Sequence, residues 1–363
     1  MKRRAFLQAA VAMPALAGLP SAVRETLAAE TAGGWRTYET VTRVEIANPS
    51  GVTRAWVPLP FTEKTDWHNP LGNKWTGNGQ MKVVTDGKYG AEMLYAEWKP
   101  GEQAPVVEVT SRFATRDRAV DPLKKNPGAP KLSAAQFKIN TAGTELIPVD
   151  GIVRDTAEAI VKGAKTDVEK AREIYEWIVD NTFRDAKVRG CGWGDIKTML
   201  ETKNFGGKCG DLNAMFVGLA RSVGIPARDV YGVRVAPSQF GYKSLGLGSA
   251  NASKGQHCRA EFFARGVGWV PVDPADVRKV VLEEPPGNLA VNDPKVIAMR
   301  KKLFGAWEMN WLAYNTAHDV RLPGSKTKVP YLMYTNGETG GKALDQLDPD
   351  AFKYAITARE IKA

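Results

Sequence analysis

The feature that most restricts the fold is a change of apolar period part-way along the chain. From Trp35 to about Val120 the apolar residues come in short runs with loose alternation, as in Thr37 to Ile46, Val52 to Val57, Met81 to Val84 and Val106 to Phe113. Asn48-Pro49-Ser50-Gly51, Asn78-Gly79, Asp86-Gly87 and Pro100-Gly101 separate them as turns. Short strands at this spacing predict an all-β sandwich over 35–120. The Pro-, Gly- and Lys-rich stretch that follows reads as the start of a linker over 121–149.

Beyond it the period becomes helical. Val168, Ala171, Ile174, Tyr175, Ile178 and Val179 recur at three and four residues behind a cap at Thr166 or Asp167. Leu212, Met215, Phe216, Leu219, Ala220 and Val223 form a second stripe, closed by Gly224 and Pro226. Strands return at Asp229 to Val235, His257 to Ala264 and Gly268 to Val272, the last two joined by a tight turn. The expected class is α+β. Ala236 to Gln256, rich in Gly, Ser and Asn, reads as a long mobile loop of the kind that often carries function.

Residues 1–29 stand apart. Arg3 and Arg4, then Phe6-Leu7 and a weakly apolar stretch broken by Pro14, Gly18 and Pro20, resemble a twin-arginine export signal. The stretch is too short and too broken to span a bilayer comfortably. The expectation is a periplasmic or secreted protein with no stable membrane insertion. Four bases and one acid fall in this segment, so the formal charge of +10 drops to +7 without it. The remaining bases are not interleaved with aromatics, which leaves nucleic-acid binding without support.

The chemistry gathers between 206 and 274. In Gly206-Gly207-Lys208-Cys209-Gly210-Asp211 a loop meets a helix. A Cys at a helix N-terminus gains thiolate character from unpaired N–H groups and the helix dipole. Its own N–H is free to serve a developing oxyanion. A helix-start Cys is also a common buried core residue. His257 opens a strand and Asp273 lies across the next hairpin, where antiparallel pairing could set the two side by side. Cys209 as nucleophile, His257 as base and Asp273 as the group that fixes the imidazole make a coherent set.

The runs GGKCGDLNAMFVGLARSVGIPARDVYGV and GQHCRAEFFARGVGWVPVDPAD resemble the transglutaminase-like members of the papain-like cysteine enzymes. The shared pattern is Gly-x-Cys-x-Asp, an apolar helix, Arg-x-x-Gly-Ile-Pro-Ala-Arg, a His on a strand, then Gly-Trp-x-Pro-x-Asp-Pro. The resemblance implies a catalytic core over 150–275, a Cys-bearing helix packed on an antiparallel sheet. The same three residues carry the chemistry and no cofactor or metal is needed. A β-sandwich often precedes such cores, and Arg54 to Pro60 resembles it. Residues 276–363 would complete the core.

The activity so implied is attack on a peptide or amide carbonyl through a thioester, with a peptide or protein as substrate. Water as second substrate makes a peptidase or amidase, the favoured reading. An amine makes a crosslinking transglutaminase, and an unused triad makes an envelope binding module; location alone would suggest a cell-wall transpeptidase. Trp193 and Asn181 are candidates for the second oxyanion donor. Arg228 and Asp211 read as structural, Arg259 as a sheet-edge cap rather than a substrate contact, and His318-Asp319 as a structural pair. Cys191 and Cys258 could pair in an oxidising compartment, leaving Cys209 free.

Overall fold

A computed structural model describes residues 34–362, so the leader-like segment 1–29 lies outside the described residues. Among the described residues no helix is long and apolar enough to cross a membrane.

Two antiparallel sheets account for the first third of the chain. Their strands are β1 (Arg36–Glu45), β2 (Thr53–Pro58), β3 (His68–Gly77), β4 (Gln80–Thr85), β5 (Glu92–Trp98) and β6 (Val106–Thr115). Alternation points Tyr38, Val44, Val107 and Phe113 from one sheet, and Ala55, Val57 and Leu94 from the other, into a shared core. The strand β3 carries Pro70 and Gly72, which made it unreadable as a strand. It tolerates them as an edge strand, with its register to β6 shifting between those residues.

Helices α1 (Ala134–Thr141), α2 (Ile152–Ile160), α3 (Asp167–Asn181), α4 (Ile196–Thr202) and α5 (Cys209–Ser222) follow, α1 lying inside the segment read as a linker. Thr166 caps α3 by accepting from Glu169 N–H, while the Glu169 carboxylate accepts from Thr166 N–H. The expected stripe from Ala171 to Val179 is buried. Every residue of α5 is buried, as befits a helix enclosed on all sides. Helix α2, α3 and α4 cover it, and Gly218 lets α4 approach: a Cβ there would lie 2.1 Å from Ile196 Cδ1.

The opposite side of α5 rests on a sheet of β7 (Ala227–Arg234), β8 (Gln256–Ala264) and β9 (Gly268–Val272). Tyr231 faces Cys258 and Gly232 faces His257 across the β7–β8 pair. Helices α6 (Pro274–Glu283) and α7 (Pro294–Lys302) come next. Then β10 (Trp311–Asn315) joins this sheet beside β7.

The C-terminal residues do not all stay with the core. After β11 (His318–Arg321) and β12 (Lys328–Tyr331), β13 (Asn336–Thr339) pairs with β2. The last strand, β14 (Tyr354–Ile361), pairs with β1 along eight residues, from Val44↔Tyr354 to Thr37↔Ile361. Pairing partners so distant in sequence leave no local signal. The 236–256 segment is pinned rather than loose. Arg234 donates to Leu245 O, Leu247 N–H to Ala236 O at 3.0 Å, and Ala252 N–H to Ile356 O at 2.8 Å.

His318 is buried, and its partner is not Asp319. Its Nε2 lies 3.4 Å from Asp229, and its Nδ1 3.3 Å from the Tyr231 hydroxyl. Burial pushes the Asp229 carboxyl up to about 7 and the His318 imidazole down, so both favour their neutral forms. Asp319 instead has φ +54° and accepts from Glu145 N–H at 3.1 Å.

Candidate active site

The position of Cys209 is built by a carboxylate. Asp211, two residues into α5, accepts from Lys208 N–H through Oδ2 and from Gly194 N–H through Oδ1, both at 2.9 Å. The chain wraps around it at Gly192, with φ +83°, where a Cβ would lie 1.8 Å from Asp211 Oδ2. Burial raises the Asp211 carboxyl to about 6 against the pull of these N–H groups. Gly210 N–H donates to Cys191 O at 2.7 Å, and the N–H groups of Asp211 and Leu212 to Lys208 O. The Cys209 N–H, first in the helix, is left without a protein partner among the described residues.

His257 is held from behind. Its Nε2 donates to Asp273 Oδ2 at 2.8 Å and lies 3.4 Å from Asp276 Oδ2. Asp273 does not sit on the strand as expected. Pro274 starts α6, and Asp273 is its cap, accepting from Asp276 N–H at 3.0 Å and Asn213 Nδ2 at 3.2 Å, both on Oδ1. Asp276 escaped the sequence reading, although its spacing of three from a cap residue places it on the same side of the first turn. Arg234 Nη2 reaches both its oxygens, at 2.6 and 2.8 Å.

Arg259 is neither an edge cap nor a cavity residue. It is buried against the Trp311 ring, 4.8 Å from guanidinium to centroid, and its Nε is 3.6 Å from Asp273. Two arginines therefore balance two carboxylates. His257, Asp273 and Asp276 form a donor set of a size that could hold a cation. The bidentate Arg234 and the N–H donors on Asp273 already occupy its oxygens. Arg228 pairs with Glu261 at 2.6 Å and covers Trp269, a structural role.

The charges favour an ion pair. Burial opposes the imidazolium of His257, but Asp276, then Asp273 and Cys209, outweigh it and push the pKa up to about 9. The Cys209 thiol is held well below its usual range. The neighbouring thiols of Cys191 and then Cys258 contribute most, with the His257 charge adding to them against burial. Cys191 and Cys258 are pushed up in turn. All three cysteines are buried and free: Cys191 and Cys258 do not bridge each other, and the Cys191 thiol donates to Gln256 O at 3.3 Å. Alternation sends Cys258 away from His257, and that is the side on which α5 lies.

Cys209 and His257 open on one cavity of about 330 Å³, with Asp273 behind. Gln256, Cys191 and Tyr334 share its wall. Trp193 and Asn181 do not: Trp193 is half exposed elsewhere, and Asn181 donates to Trp177 O. Gln256 was missed by sequence reasoning. Its Nε2 is a buried donor with no partner, and only the tertiary fold brings it to the cavity.

The fold and this arrangement define a class. Residues 154–274 match the model of the Transglutaminase-like superfamily. The chain is 37% identical over 346 residues to an uncharacterized protein of Haemophilus influenzae, covering 89% of this chain and 91% of that one; it belongs to one family with that relative and carries a transglutaminase-like domain over 154–274. A crystal structure from Cytophaga hutchinsonii, described as a "putative cysteine protease", shares the fold with a TM-score of 0.55 at 12% identity, covering 92% of this chain and 93% of that one.

Proposed function

We propose that this protein is a cysteine hydrolase of peptide or amide bonds acting through Cys209, His257 and Asp273. The observation that carries the reading is one cavity onto which a helix-start cysteine and a carboxylate-held histidine both open. The Cys209 thiolate attacks the carbonyl carbon. The Cys209 N–H and the unpartnered Gln256 Nε2 receive the oxyanion. With Nε2 engaged by Asp273, the Nδ1–H of His257 gives its proton to the departing amine. A thioester remains, and water attacks it while His257 takes the water's proton. The acid product leaves and the ion pair is restored.

Glutamine-containing peptides, with and without a primary amine, test the reaction. Ammonia release alone marks an amidase, new termini a peptidase, and amine incorporation an acyltransferase; no turnover overturns the enzymatic reading. Gln256→Ala should lower kcat by about 10- to 100-fold with little change in KM. An unchanged kcat would remove Gln256 from the oxyanion site.

The ion pair sets a pH signature. A depressed thiol pKa keeps the thiolate present above that low value, and a raised imidazole pKa keeps the imidazolium present up to about 9. Alkylation of Cys209 by iodoacetamide should therefore differ by less than about twofold between pH 6 and pH 8. A thiol of ordinary pKa near 8.5 would slow by about 80-fold over that range, and such a drop would exclude the resting ion pair.

A further inference from the structure

The cavity over Cys209 is walled by five basic side chains, Arg184, Lys208, Arg234, Lys254 and Lys279, and by no Asp or Glu. Their counter-charges are unequal. Arg234 is fully matched by Asp276 behind the wall. Lys254 meets Asp350 at 2.9 Å in a pair open to solvent, which neutralises little. Arg184 and Lys279 share a single carboxylate, Glu283, which lies 3.6 Å from the Lys279 ammonium. Lys208 has no ion-pair partner among the described residues, although it stands immediately before the nucleophile.

The largely buried Lys279 has its pKa lowered, by burial first and by Arg234 next, with Asp276 and Glu283 opposing. An anion brought into the cavity would relieve that cost, and partial burial would shield the attraction from salt. The thiolate of Cys209 does not meet this need, because the His257 imidazolium already balances it.

We propose that the acyl portion of the substrate carries a carboxylate, received inside the cavity by Lys208 and Lys279. This rests on the reading of the cavity as the place where the acyl group binds. Two lysines suit the task as mobile point charges that sense a carboxylate without fixing its plane. A volume of about 330 Å³ is at the small end of ligand pockets, with room for an acidic residue and its immediate neighbour. The carboxylate has two sources in the acyl half of a substrate: an acidic side chain or, where the scissile bond is a side-chain amide, the free main-chain carboxylate of the same residue.

Alkylation of Cys209 reads this without turnover. The ratio of the iodoacetate rate to the iodoacetamide rate is measured on the purified protein by mass spectrometry of the Cys209 peptide. Glutathione in the same buffer gives the reference ratio. Two lysine charges near the sulfur should raise the ratio about tenfold over glutathione, and Lys208→Gln with Lys279→Met should return it to the reference. A ratio equal to that of glutathione, or one unmoved in the double variant, overturns the proposal. The thermal midpoint of each variant, and Lys208→Gln alone at the helix start, guard against misfolding.

Protection of Cys209 from iodoacetamide by blocked dipeptides separates the sources. N-acetyl-Ala-Glu amide offers the side-chain acid, N-acetyl-Ala-Gln with a free C-terminus the main-chain acid, and N-acetyl-Ala-Gln amide neither. Several-fold better protection by one acid supports the proposal and identifies the source. Equal protection by the neutral dipeptide, or none by any, overturns it. Loss of the hydrolase reading would show instead as absent turnover with the alkylation ratio still high.

Discussion

Cys209→Ala should lower peptide turnover by at least about 10⁴-fold, the scale at which loss of a nucleophile leaves only binding and oxyanion stabilisation. The fold should survive. The helix start is set by Asp211 and the glycines around it, not by the thiol. Exchanging a thiol for hydrogen leaves a gap smaller than a methyl-sized cavity beside Cys191 and Cys258. A thiol-directed acylating probe should label wild type at residue 209 and leave the variant unlabelled. The two neighbouring thiols make this a stringent test, because both are buried and pushed toward their protonated forms. Equal labelling of the variant would place the reactive sulfur elsewhere.

Asp273→Asn should cost about 10³- to 10⁴-fold in kcat while preserving the structure. An asparagine can still cap α6, since its carbonyl oxygen can accept from Asp276 N–H and Asn213 Nδ2 as Oδ1 does now. Those two donors fix the amide's orientation and leave its NH₂ facing His257 Nε2. The imidazole must then present a lone pair at Nε2 and carry its proton on Nδ1, toward the sulfur, where it can no longer accept one. Alkylation of Cys209 should accordingly regain a rise between pH 7 and 9. Should the flat profile persist, Asp276, 3.4 Å from the same nitrogen, would be the acid that holds the imidazolium.

What could be read from the sequence was what short-range chemistry writes. The stripe of α3, the cysteine at the start of α5 and the Gly224-Pro226 stop depend on residues a few positions apart, and the structure has these elements. The strand β3 was hidden by Pro70 and Gly72, whose cost depends on being at a sheet edge. The surroundings of the site were hidden for another reason. Asp276 comes to His257, and Gln256 and Lys279 to the cavity over Cys209, only through the packing of α6 and β8 around α5, and spacing in one dimension cannot report that approach. Parity and compartment left a bridge between Cys191 and Cys258 open, and only the fold shows both as buried free thiols.

The pairing of β14 with β1 has a consequence in time. The first sheet to leave the ribosome lacks its neighbour until residues 354–361 have been made, and an unpaired β1 edge is open to wrong partners meanwhile. Domains that finish folding in order of synthesis do not carry such a debt. Here β1 must wait for a partner strand from the far side of the catalytic core, so completion of the first sheet is a step of high contact order.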